Sequence, residues 1–160
     1  MKKLLYLIIL CVAMGPLPGL LSACSEEEDC SMTARPMLQC NIYRAEYTGT
    51  LLRDTLDSLT VTAYATDSVI INNQQDVKDI SIPLRYTTDS TVLVFHYDQR
   101  YRDTVVIHHE NTPYFISLDC GYQMQQTVTG IRYTRHRLDS IYTINPDANI
   151  YGTENLRLYY

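Results

Sequence analysis

The sequence predicts an all-β fold: an antiparallel β-sandwich, immunoglobulin-like or related, with about eight or nine strands. Three observations predict it. From residue 35 onward apolar side chains recur with period two, and no window of a dozen residues carries a helical stripe. The alternating segments are dominated by Thr, Val, Ile and Tyr, residues that fit a pleated, half-buried surface. Between them stand short polar stretches with turn chemistry, a spacing that two packed sheets require. Trp is absent and Phe occurs only twice, so the core must rest on Val, Ile, Leu and some of the 14 tyrosines.

Leu38, Cys40 and Ile42 alternate with Gln39, Asn41 and Tyr43 in the first strand. In the second, Leu59, Val61 and Ala63 alternate with Thr60, Thr62 and Tyr64. Asn72-Asn73-Gln74-Gln75-Asp76 reads as a polar connection. Ile80, Ile82 and Leu84 then alternate with Ser81, Pro83 and Arg85, and because Pro83 lacks an N–H its strand belongs at an edge or on a bulge. Strands over 91–97 and 104–109 flank the hairpin loop Tyr97-Asp98-Gln99-Arg100-Tyr101-Arg102. Segments 114–117, 123–133, 141–144 and 156–160 complete the set. Asp57-Ser58, Asp67-Ser68, Asp89-Ser90, Asp103-Thr104 and Asp139-Ser140 stand at or before strand starts, where an Asp carboxylate bonds the backbone two residues on and closes a turn. Calcium binding would need a DxDxDG type of loop rather than scattered pairs.

Catalytic signatures are sparse. His108 and His109 are neighbours in a strand and point to opposite faces, so without a local break they cannot chelate one metal; His96, on the preceding strand, is the one placed to meet either of them across the hairpin, a set that with Glu110 would suit zinc, but polar residues on a sheet face are the expected reading. No GxSxG elbow and no facing carboxylate pair is identifiable. The expectation is a non-enzyme with neither cofactor nor metal. The one basic cluster, Arg132-Tyr133-Thr134-Arg135-His136-Arg137, is the best local candidate for a binding patch: the forks of Arg132, Arg135 and Arg137 suit carboxylates and the face of Tyr133 suits a sugar.

The first 23 residues read as a targeting segment: Lys2 and Lys3, an apolar centre over 4–12, and small residues at Ser22 and Ala23. That centre is short for a bilayer span, which needs ~20 residues. Leu21-Ser22-Ala23-Cys24 resembles the lipobox of bacterial lipoproteins at all four positions. The resemblance implies that the Cys24 thiol receives a diacylglyceryl group, that cleavage precedes Cys24, and that its new amine is acylated. Ser25-Glu26-Glu27-Glu28-Asp29 is too charged for a core and reads as a solvated tether. It also resembles the acidic surface-export signal of Bacteroidetes lipoproteins, which implies outward display at the outer membrane. Without Lys2 and Lys3, 11 of the 13 basic residues face 18 acidic ones, a formal −7, so nothing favours nucleic acid. Membrane attachment must come from the lipid. Of the five cysteines, Cys11 leaves with the signal and Cys24 carries lipid; Cys30, Cys40 and Cys120 allow one disulfide and one spectator.

A second resemblance covers much of the chain beyond the tether. Cys30, the strand Asp103-Thr104-Val105-Val106-Ile107, and Tyr114-Phe115-Ile116-Ser117-Leu118-Asp119-Cys120-Gly121-Tyr122 are similar to a family of small Bacteroidetes lipoproteins whose domain has no known function. That family's cysteine pattern implies a Cys30–Cys120 disulfide, with Cys40 a departure from it. The expected organisation is a signal peptide over 1–23, a lipidated acidic tether over 24–32 and a sandwich over 33–160. The expected function is a surface-exposed or periplasm-facing outer-membrane lipoprotein, a non-enzymatic binding or interaction module of unknown ligand, accessory to an outer-membrane complex, with an outer-membrane protein or a glycan as partner. The alternative is a glycan-binding lipoprotein.

Overall fold

The computed structural model describes residues 30, 34–44, 51–98 and 100–160. The signal peptide, Cys24 and the Ser25, Glu26, Glu27, Glu28 and Asp29 tether lie outside the described residues.

The protein is a β-sandwich of two sheets built from ten strands. No α-helix occurs among the described residues, and none there is long and apolar enough to cross a membrane. One sheet holds β2 (Leu52–Arg53), β1 (Met37–Arg44), β10 (Glu154–Tyr159) and β9 (Ser140–Thr143) in that order, with β5 (Asp79–Pro83) also paired to β1. The other holds β4 (Val69–Val77), β3 (Leu56–Ala63), β6 (Ser90–His96), β7 (Arg102–Ser117) and β8 (Gly121–Tyr133).

Alternation drives the packing. Leu38, Cys40 and Ile42 of β1, with Ile80, Ile82, Leu156 and Leu158, face Leu59, Val61, Leu93, Phe95, Val105 and Ile107 across a continuous core. All of these are buried. At about 25 cal/mol per Å² of apolar surface removed from water, this layer dominates the fold's stability. Pro83 lies on β5, an edge strand, where its missing N–H costs no ladder bond. Tyr97 and Tyr43 are the tyrosines drawn into the interior; Tyr97 meets Tyr160 edge-on with ring centroids 5.5 Å apart.

Four features depart from expectation. The polar stretch 72–76 is not a connection but part of β4, the exposed edge of its sheet. Asn73 and Asp76 take positive φ there (42° and 51°), and the β3–β4 register shifts twice, so the edge is kinked rather than flat. Segments 104–109 and 114–117 are one continuous strand, β7, because Asn111, Thr112 and Pro113 keep pairing with β8. The β1–β10 pairing is parallel, with a register shift at Gln39/Cys40. Beside that shift the fully buried Asn155 holds the strands together: its Oδ1 accepts the Gln39 N–H at 2.9 Å, and its Nδ2 donates to the carbonyls of Asn145 and Asp147. Finally, Asp103 closes no local turn and instead lies fully buried.

Segment 145–149 ties the sheets at one side. Asn149 bridges to Met37 of one sheet and Asp147 to Thr127 of the other, which also covers the free edge of β8.

Candidate functional site

The inward faces of β3, β6 and β7 fill the core, so the intervening residues form one outer surface. His96 stands opposite Arg102, Val94 opposite Thr104, and Thr62 opposite Val94 on the far side, so these groups share a patch. The β3–β4 turn raises its rim: Asp67 N–H donates to the Ala63 carbonyl, while Ala65 (φ 70°) and Asp67 (φ 52°) take the left-handed conformation. For Ala65 that geometry costs roughly 1 kcal/mol, strain a glycine would not carry.

The result is a concavity of about 390 Å³ lined by Thr62, Tyr64, Asp67, His96, Arg102 and Thr104. A second depression of about 300 Å³ shares His96 and Arg102 and adds Asp98, Arg100 and Tyr101 from the β6–β7 loop. Thr62 Oγ1 lies 3.1 Å from His96 Nε2 and fixes that ring. Asp98 accepts the backbone N–H groups of Tyr101 and Arg100, which hold its carboxyl below the usual range and shape the loop. Tyr64 and Tyr101 present exposed rings. Such a trough offers stacking faces, a guanidinium fork and hydroxyls, the chemistry that receives a polyhydroxyl or anionic group.

The predicted patch is divided by the fold. Arg132 stays on the outer surface and donates to His108 Nε2 at 3.2 Å. Tyr133 packs partly against the core, and Arg135 lies over its ring at 5.7 Å. Arg137 is 5.7 Å over the ring of Tyr97. The strand ends at Tyr133, so beyond it alternation no longer places side chains on one face. The loop carrying Arg135 and Arg137 is held from beneath by Asp103, whose carboxylate accepts the Thr134 hydroxyl (2.7 Å) and the N–H groups of His136, Arg137 and Leu138 (2.8 to 2.9 Å). Burial alone would raise this carboxyl, but the four donors outweigh it and hold it down at about 2.

The histidines do not converge. His96 pairs across to Arg102 and His108 to Ser90, at opposite ends of the hairpin. His109 turns inward, its Nε2 2.9 Å from Thr91 Oγ1, where burial lowers its affinity for a proton. Among the described residues no group of three or more His, Cys, Asp or Glu could hold a metal ion. Cys30 and Cys120 are joined, with Cα atoms 5.5 Å apart, the pair implied by the family resemblance. Cys40 is a buried free thiol. Arg102, Tyr64 and Asp67 escaped the reading of the sequence, although alternation from His96 through the hairpin places Arg102 on the same face.

No curated protein and no solved structure matches the chain. Residues 58–160, more than half of its length and all the strands from β4 onward, match the family of unknown function DUF6452, and the protein belongs to that family.

Proposed function

We propose that the protein is an outer-membrane lipoprotein, anchored through lipid on Cys24, whose sandwich is a non-enzymatic binding or interaction module. One observation carries this reading: the run Leu21-Ser22-Ala23-Cys24 after a short apolar segment, followed after Ser25 by Glu26, Glu27, Glu28 and Asp29. The acids serve display on the cell surface, and the outer face of sheet β4-β3-β6-β7-β8 is the surface offered to a protein partner in the same membrane. Crosslinking in intact membranes tests it. A partner recovered with the wild-type protein and lost with Arg102→Ala supports the reading, while no stable partner counts against it.

The trough itself favours a second reading, glycan binding, because Tyr64, Tyr101 and Arg102 combine stacking faces with a fork donor. Retention on a glycan array, weakened by Tyr64→Ala, would favour it over a protein partner.

A further inference from the structure

The β7–β8 ribbon outruns its sheet. β6 follows β7 only as far as Ser90 opposite His108, whereas β7 and β8 stay paired to Ser117 opposite Gly121. At the far end of this projection apolar side chains lie in water. Phe115 and Tyr122 face each other across the ribbon with centroids 5.2 Å apart, 51% and 74% exposed, and Leu118 in the turn is 93% exposed. Gly121, at φ 72°, makes the turn possible without strain.

The same tip is where the N-terminal segment joins the domain. Cys30 is bonded to Cys120 in that turn, and Gln123 Nε2 donates to the Ala34 carbonyl at 2.8 Å. Five residues, and so six backbone steps, separate Cys24 from Cys30. Even fully extended at ~3.6 Å per residue they reach only about 20 Å. A lipid on Cys24 therefore holds the ribbon tip within about 20 Å of the bilayer, while Tyr101, at the other end of β7, lies about 45 Å further along the strand.

We propose that Phe115, Leu118 and Tyr122 insert into the interfacial layer of the leaflet that carries the Cys24 lipid, so that the sandwich stands tip-down with the Tyr64–Arg102 trough on its lateral face, at the end farthest from the bilayer. The proposal rests on the lipid-anchor reading. The ring of Tyr122, with its polar hydroxyl, favours that layer, and Phe115 and Leu118 add apolar area to the acyl chains' hold. The exposed carboxylate of Asp119 beside Leu118 stays among the headgroups and favours a zwitterionic over an anionic surface.

The chain has no tryptophan, so single substitutions report without background. The full acylated protein, carrying Leu118→Trp, Tyr122→Trp or Tyr101→Trp, is reconstituted into phosphatidylcholine vesicles with and without brominated acyl chains. Trp at 118 and at 122 should emit at shorter wavelength and be quenched several-fold more strongly by bromine than Trp at 101. Vesicle-bound protein with equal, weak quenching at all three positions overturns the proposal and leaves the anchor intact. Protein that carries no acyl mass on Cys24 and stays off the vesicles defeats the anchor reading and this proposal with it.

Discussion

The carboxylate of Asp103 accepts the backbone N–H of Leu138 at 2.9 Å although the two residues are 35 positions apart. With Thr134, His136 and Arg137 contributing further donors, this one buried acid shapes the whole β8–β9 connection. Its side chain is costly to remove: the buried Leu138 N–H left unpaired costs about 1 to 3 kcal/mol, and three part-buried donors lose their acceptor as well.

Asp103 therefore makes stability depend on pH in an identifiable window. Its folded carboxyl, at about 2, lies below the ordinary value of 3.8. A depressed acid stabilises fully above the unfolded value and loses that contribution as pH falls from about 4 toward 2. The difference corresponds to roughly 2 kcal/mol. Across the window urea unfolding of the wild type should lose about that much more stability than that of Asp103→Asn, which should be less stable at neutral pH with a flatter acid limb. An identical pH slope in the variant would show that Asp103 is not the responsible group.

The Cys30–Cys120 bond closes a loop with a sequence separation of 90. Chain entropy alone assigns such a closure roughly 4 to 5 kcal/mol, an upper figure. Cys120→Ser should lower the urea midpoint accordingly, and Cys40 should resist thiol reagents until the protein unfolds, since burial pushes its thiol far above the ordinary range. Non-reducing peptide maps showing Cys40 linked to Cys120, or Cys40 labelled in the native state, would contradict the assignment.

Much of this architecture was legible because period two is a local signal. Leu38, Cys40 and Ile42, or Leu93 and Phe95, announce their faces within a few residues. What was not legible depends on partners far away in sequence. Asn73 and Asp76 looked like loop residues because an edge strand needs no buried face. Asn155 gives no local hint that it will be buried between bulged strands, and the parallel direction of β10 beside β1 is set by the whole intervening chain. Asp103 looked like the other Asp-Ser/Thr turn starters; only the returning loop of 134–138 distinguishes it. The basic cluster misled for a related reason. A run of arginines in sequence is a patch only while the strand lasts, and here it stops at Tyr133.

The acids of the tether make a separable claim. Replacing Glu26, Glu27, Glu28 and Asp29 with alanine should leave the protein in the membrane fraction but shield it from protease added to whole cells. Equal cleavage of both versions would reduce the acids to a spacer.

Placement at the membrane depends on one modification, so the most direct measurement is metabolic labelling with an alkyne analogue of palmitate, followed by recovery of the protein. Lipidation at Cys24 predicts label on the wild type and its complete loss in Cys24→Ala. Unchanged labelling of that variant, or none on the wild type, would contradict it.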